Sequence, residues 1–105
     1  MIRGVVGEDV TLDQAREASR LTAINILGAA RSAAESLDAI SGVVSVTGYV
    51  RATPDFTEHP KVLDACSDLL VEVLGDEGAH ARAAVGVSSL PFGIVVEASA
   101  ILSLR

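Results

Sequence analysis

Residues 81–104, ARAAVGVSSLPFGIVVEASAILSL, carry the strongest strand pattern in this chain. Residues 81–88 and 94–104 are rich in Val, Ile and Ala, which is typical of strands, and LPFG at residues 90–93 has the composition of a turn. We therefore predict two strands joined by a short connection. A parallel pair needs a crossover of a dozen or more residues, so we expect these strands to pair as an antiparallel hairpin.

Upstream of this stretch, the pattern predicts a helix, a strand and a second helix. Thr11 and Gln14 form the capping box of a helix whose apolar positions recur every three or four residues as far as Ile40. Residues 43–51 alternate as in a strand with one polar face. Residues 60–74 again have helical spacing, and a glycine follows them as a stop signal.

The order of these elements predicts the fold class. Helix–strand–helix–strand–strand favours a single α+β domain over residues 1–105, with both helices on one face of a small mixed sheet. No helix remains to cover the other face. The mean hydropathy of +0.45 is high for a small domain, because a chain of this size has much surface and little interior. We therefore expect the uncovered face to associate with further copies of the chain.

The composition excludes several classes of function. Eight basic against fourteen acidic residues leave a net charge of −6, which argues against non-specific binding to nucleic acid. A single cysteine cannot form an internal disulfide, and no apolar run is long enough to cross a membrane. The N-terminus does not resemble a secretory signal. We therefore expect a soluble, cytoplasmic protein without nucleic-acid or membrane partners.

The histidines and the cysteine, residue types that often act in catalysis or bind metals, are interpreted here as residues without a chemical role. Two His and one Cys are too few for a dedicated zinc site. His59 and His80 are interpreted as solvent-facing residues, which is the usual position of histidine near a loop. Cys66 lies on the apolar stripe of the second predicted helix and is interpreted as a core residue, because no cationic neighbour that would stabilise a thiolate is evident.

Two charged residues, Arg82 and Glu97, lie inside otherwise apolar strands. A charge in such a strand is costly unless it has a partner or faces water. One interpretation is a surface pair that contributes little to stability. The other is functional: the guanidinium of Arg82 binds a substrate carboxylate through two hydrogen bonds, and Glu97 handles a proton or a water molecule. The residues alone leave both interpretations open.

Residues 81–101 resemble the signature of the Rid family, also called the YjgF/YER057c/UK114 or L-PSP endoribonuclease family. The shared features are an Ala-Arg pair at the start of a strand, a Leu-Pro after that strand, and a later strand with Glu ahead of an Ala-Ile pair. The segments GEDVTL at 7–12 and VVSVTGYV at 43–50 extend the resemblance over nearly the whole chain. It implies a chorismate-mutase-like fold assembled as a homotrimer, with pockets between subunits.

The resemblance also implies a reaction, the hydrolysis of 2-imino or enamine acids to 2-oxo acids and ammonia without a metal or organic cofactor. Arg82 matches the family's carboxylate-binding arginine, and Glu97 matches the glutamate that positions the attacking water. The chain departs from the pattern in four ways. We expect it to start after the family's N-terminal strands, Ala83 follows the arginine where Ser is usual, Ala84 stands where many active members carry Cys, and Asp64 is the nearest match to an Asn of the second helix region.

We rank three functions. The first is a 2-imino or enamine acid hydrolase that acts on a small carboxylate-bearing substrate in a cleft between subunits. The alternative, favoured by the departures, is a non-catalytic trimeric module that binds a small carboxylate or carbonyl metabolite. RNA cleavage ranks last, because a net charge of −6 and 3% aromatic residues provide few phosphate contacts or stacking surfaces.

Overall fold

The structure, a computed structural model, describes residues 2–105. Two helices and three strands follow one another as α1 (Leu12–Ala34), β1 (Ile40–Arg51), α2 (His59–Leu74), β2 (Ala81–Val87) and β3 (Val96–Leu104). Both helices pack on one face of the sheet, so the predicted α+β fold class is confirmed. Within this part of the chain, neither helix combines the length and apolar character that a membrane span requires.

The strand order is β2-β1-β3, with β1 in the centre. β2 pairs with β1 in parallel and β3 pairs with β1 antiparallel, so the sheet is mixed. The predicted hairpin of the last two strands is therefore wrong. The connection between them crosses the end of β1, where Arg51 donates a backbone hydrogen bond to Val95 and Ala52 donates one to Val87. It only has to span two strand spacings, about 10 Å, which eight residues cover easily.

The first helix is shorter than its apolar pattern indicated. The capping box is present as predicted, since Thr11 accepts from the Gln14 amide and the Gln14 side chain accepts from the Thr11 amide. The helix ends at Ala34 because Glu35 adopts a left-handed conformation with φ of 69°. Ile40 therefore lies in β1, where it is fully buried, and its predicted place on the helix stripe is wrong.

Close packing of α2 on the sheet depends on one glycine. Gly48 lies in the middle of β1 and faces Leu63 of α2, which is fully buried. A Cβ atom at Gly48 would lie well inside 3.0 Å of the Leu63 side chain. Because Gly48 has no side chain, α2 can approach β1 closely. This close approach positions the following turns of α2 against β2.

The opposite face of the sheet has no covering layer within residues 2–105. Pairing places Thr47 opposite Ser99, and Tyr49 opposite both Glu97 and Val85, all on this face. Val85 is 44% exposed. The sheet thus has one face in the core and one open face that mixes polar and apolar side chains.

Candidate functional site

Four polar side chains meet where α2 packs on β2. Asp64 and Ser67 are three residues apart on α2, a spacing that puts both side chains on one face of a helix. His80 and Arg82 are two residues apart at the start of β2, a spacing that puts both on the same side of an extended chain. Because these two sides face each other, residues from distant parts of the sequence form one cluster.

Arg82 is at the centre of this cluster. Its Nη1 atom lies 2.9 Å from Asp64 Oδ1 and donates to Ser67 Oγ at 3.1 Å, while Nη2 donates to the Pro60 carbonyl at 3.4 Å. The Arg82 side chain is 21% exposed and that of Asp64 is 48% exposed. The charge in this apolar strand therefore has the partner that its position requires. The ion pair itself adds only about 0–1 kcal/mol to stability, because the carboxylate remains well hydrated.

Arg82 keeps hydrogen-bonding capacity beyond these contacts. A guanidinium has five N–H donors. Two contacts involve Nη1 and one involves Nη2, so the Nε–H and one Nη2–H have no partner in the part of the chain that the structure describes. Two donors on one planar guanidinium suit a carboxylate, which accepts them as a bidentate pair.

Ser67 and His80 extend the cluster away from Arg82. His80 Nδ1 lies 2.6 Å from the Gly78 carbonyl oxygen, and Ser67 Oγ lies 2.9 Å from His80 Nε2. A carbonyl oxygen can only accept, so Nδ1 carries a hydrogen, and whenever the ring is neutral Nε2 accepts from the Ser67 hydroxyl. Hydrogen bonds therefore run in one direction, from Arg82 to Ser67, from Ser67 to His80, and from His80 to Gly78.

An open depression of about 410 Å³ lies over this cluster. Its lining combines the polar groups just described with two small apolar side chains: Ser67, Val71, Ala79, His80 and Arg82. We call it the Arg82 pocket. A volume of this order accommodates a small organic acid, and the polar groups all lie on the wall formed by α2 and β2.

Cys66 immediately precedes Ser67 on α2 and belongs to the core. It is fully buried, and burial raises the pKa of its thiol to about 11 despite the nearby positive charge of Arg82, which acts in the opposite direction. The thiol is therefore neutral at physiological pH and lacks the thiolate that nucleophilic chemistry requires. The interpretation of Cys66 as a core residue is confirmed.

Glu97 lies away from Arg82. Its side chain is exposed on the open face of the sheet, opposite Tyr49 in the pairing of β1 with β3. Arg82 belongs to the strand on the other side of β1 and faces the helices. The two candidate residues of the sequence analysis are therefore not brought together within one chain.

The parts played by Ser67 and His80 were not predicted from the sequence. His80 is half-buried and hydrogen-bonded, so the solvent-facing interpretation is wrong for it. The same interpretation is wrong for His59, which is the first residue of α2, is half-buried and packs edge-on against Phe56 with ring centroids 5.0 Å apart. The signal in the sequence was the spacing of polar residues: Ser67 follows Asp64 by three positions in a helix, and Arg82 follows His80 by two positions at a strand. No cluster of three or more metal-ligating side chains occurs among residues 2–105.

Comparison with known proteins gives consistent results. Residues 1–98 match the model of the family described as "YjgF/chorismate_mutase-like, putative endoribonuclease". The protein TCP17 of Trypanosoma cruzi is 38% identical over 103 residues, which are 97% of this chain and 64% of that protein. The chain therefore spans less than two thirds of the length of this curated relative.

Two crystal structures resemble the whole chain. The protein Atu1372 of Agrobacterium tumefaciens, whose function is unknown, has a TM-score of 0.98 and 40% identity, with 100% of this chain and 68% of that chain covered. A "putative endoribonuclease" of Shewanella oneidensis has a TM-score of 0.95 and 28% identity, with 99% and 69% covered. Both similarities extend over α1 to β3.

Proposed function

The chain belongs to the YjgF/chorismate-mutase-like family, and we propose that it hydrolyses 2-imino or enamine acids to 2-oxo acids and ammonia at the Arg82 pocket. The proposal rests on the hydrogen bonding of the Arg82 guanidinium. Its guanidinium is held on the pocket wall by three contacts, yet it keeps two N–H donors for a ligand. A substrate carboxylate would bind these donors and lie beside Ser67.

Substrate binding at Arg82 accounts for much of the catalysis that this reaction needs. The carbon of a protonated imine is already electrophilic, so no metal or organic cofactor has to activate it. Holding the carboxylate fixes the adjacent imine carbon on the pocket wall, where an incoming water has a defined approach. Proton transfer to and from a positioned side chain then supplies the remaining acceleration.

In this proposal, Glu97 acts from a second copy of the chain. It cannot reach a substrate bound to Arg82 of its own chain, because the two residues lie on opposite faces of the sheet. The open face of the sheet, which carries Glu97, is the surface available for assembly. A homotrimer with the Arg82 pockets at its interfaces would bring a neighbouring Glu97 towards each bound substrate.

The alternative function, a trimeric module that binds a small carboxylate or carbonyl metabolite without turnover, has one specific observation in its favour. The separation of Glu97 from Arg82 leaves the pocket with a carboxylate-binding group but without the expected carboxylate base from its own chain. Saturable binding of a 2-oxo acid without acceleration of imine loss would favour this alternative.

The test is imine hydrolysis by the purified chain, with the imine produced in situ by an amino-acid oxidase and its survival measured by trapping with semicarbazide. Wild type is compared with Arg82→Ala, and with Arg20→Ala as a matched control, since Arg20 is an exposed residue of α1. We expect faster imine loss with wild type and with Arg20→Ala, and a rate indistinguishable from background with Arg82→Ala. Equal rates for wild type and Arg82→Ala would refute the assignment.

A further inference from the structure

The Ser67–His80 pair has the arrangement of an activated hydroxyl with its base. The hydroxyl lies within hydrogen-bond distance of one ring nitrogen, and the other ring nitrogen is held by a third group, the Gly78 carbonyl. Nucleophiles and proton-transfer groups in enzymes share this arrangement, in which a base is both in contact with the hydroxyl and fixed in its tautomer. The proposed function assigns roles to Arg82 and Glu97 but none to this pair.

The orientation of His80 is set by rigid backbone. Gly78 is buried between the end of α2 and the start of β2, where a Cβ atom would collide with the backbone carbonyl of Leu70. Only glycine allows the chain to approach α2 so closely here. The Gly78 carbonyl therefore has a fixed position, which holds Nδ1–H of His80 and aims Nε2 at Ser67.

His80 is the group at this pocket that is suited to proton transfer. The Cys66 thiol is buried and neutral, the Asp64 carboxylate is in a salt bridge with Arg82, and Glu97 faces the other side of the sheet. Imidazole both accepts and donates a proton near neutral pH. The groups that face His80 are Ser67 from α2, the Gly78 carbonyl, and Arg82 of β2 through Ser67.

We infer that Ser67 and His80 form a proton relay for hydrolysis at the Arg82 pocket, an inference that rests on the proposed function. Ser67 Oγ lies 3.1 Å from Nη1 of the guanidinium that would hold the substrate carboxylate, and both residues line the Arg82 pocket, so the hydroxyl shares the pocket with the imine carbon. Ser67 is the residue that would contact the reacting atoms. His80 acts through it and is a positioning residue.

The relay accounts for the proton that moves in each of the two steps of the reaction. In the first step, water oxygen bonds to the iminium carbon, the water proton passes to Ser67 Oγ, and the Ser67 proton passes to His80 Nε2, while the C=N electron pair moves to nitrogen. In the second step, the amine nitrogen takes a proton back from His80 through Ser67. The C–N bond then breaks with its electron pair on ammonia, and the hydroxyl gives its proton to solvent as the carbonyl forms.

The test compares four variants in the imine assay, after loss of activity in Arg82→Ala has been measured in the same preparation. Ser67→Ala removes the hydroxyl and Ser67→Thr restores one. His80→Asn keeps a donor for the Gly78 carbonyl but removes Nε2, and Ser89→Ala serves as a matched control on an exposed loop serine. Thermal unfolding of each variant checks that the fold is intact.

We expect Ser67→Ala and His80→Asn to lower kcat by about 100-fold with KM nearly unchanged, in the range usual for a lost proton-transfer group. Ser67→Thr should recover most of the activity. His80→Asn should also remove the limb of the pH–rate profile that reports a histidine, which loss of a purely structural contact would not do. Ser89→Ala should behave as wild type.

Two outcomes would overturn the relay. If imine loss requires Arg82 but is undiminished in Ser67→Ala and His80→Asn, the relay is refuted and the hydrolase function stands. If wild type and Arg82→Ala are equally inactive, the hydrolase function fails and the relay fails with it. The Arg82→Ala measurement therefore distinguishes the two failures.

Discussion

The buried thiol of Cys66 should make the stability of this fold depend on pH in the alkaline range. Burial raises the pKa of Cys66 from 9.0 to about 11, and the positive charge of Arg82 opposes this only in part. The unfolded chain loses the thiol proton near pH 9, whereas the folded chain keeps it until near pH 11. Between these values the folded state binds more protons, so the free energy of unfolding falls as the pH rises.

The size of this effect follows from the shift itself. Each pKa unit corresponds to about 1.4 kcal/mol of differential interaction between the two protonation states. The change from 9.0 to about 11 therefore predicts a loss on the order of 2–3 kcal/mol across the interval, and no loss from this group below it. For a small domain with a total stability of about 5–15 kcal/mol, such a loss is readily measured.

The measurement is urea unfolding of wild type and Cys66→Ala, under reducing conditions, at a series of pH values from neutral to the alkaline limit of the interval. Removing the sulfur leaves a small cavity that lowers stability by a pH-independent amount. All other ionisable groups are the same in both proteins, so their contributions cancel in the difference. We expect the wild-type curve to fall more steeply above pH 9 and to approach that of the variant.

Parallel curves for the two proteins would contradict this prediction. They would mean that Cys66 titrates alike in the folded and unfolded chain, which is incompatible with a fully buried thiol packed among the core residues of α2. They would also weaken the conclusion that the thiol stays neutral at physiological pH.

Two further predictions concern packing and the pocket. Gly48→Ala should lower the free energy of unfolding by about 1–3 kcal/mol, because its Cβ would overlap the buried Leu63, which has no room to move. Gly28→Ala, in a helix with open space around the site, should instead raise it by about 0.5–1 kcal/mol, and thermal melts that show the same sign for both would contradict this packing. Asp64→Asn removes a negative charge beside Arg82 that repels a ligand carboxylate, so calorimetry should show severalfold tighter binding of a 2-oxo acid, and weaker binding would mean that the main effect of Asp64 is to orient the guanidinium.

The parts of the fold that could be predicted depend on neighbours in the sequence. A capping box needs only Thr11 and Gln14, and the side of a helix that carries Cys66 follows from 3.6-residue periodicity. α2 was predicted as residues 60–74 and begins one residue earlier, at His59. These features are short-range, and the residues that determine them lie within a few positions of one another.

The candidate site could be predicted only in part. Arg82 was identified because a charged side chain inside an apolar strand needs a partner or exposure to water. In the structure, its partner is the Asp64 carboxylate. Ser67 and His80 gave no such signal. A serine on a helix and a histidine near a turn are ordinary surface residues until the packing of α2 on β2 brings them within 2.9 Å of each other.

Local sequence patterns were enough to predict the two helices, the approximate extent of three strands, the α+β class and a core that contains Cys66. They could not predict that β1 lies between β2 and β3, that Ile40 belongs to the sheet, or that Arg82 and Glu97 face opposite sides of it. These features depend on strand order and register, which are set by long-range burial. β1 can pair along both of its edges, and a shift of one residue in any strand would exchange its buried and exposed faces.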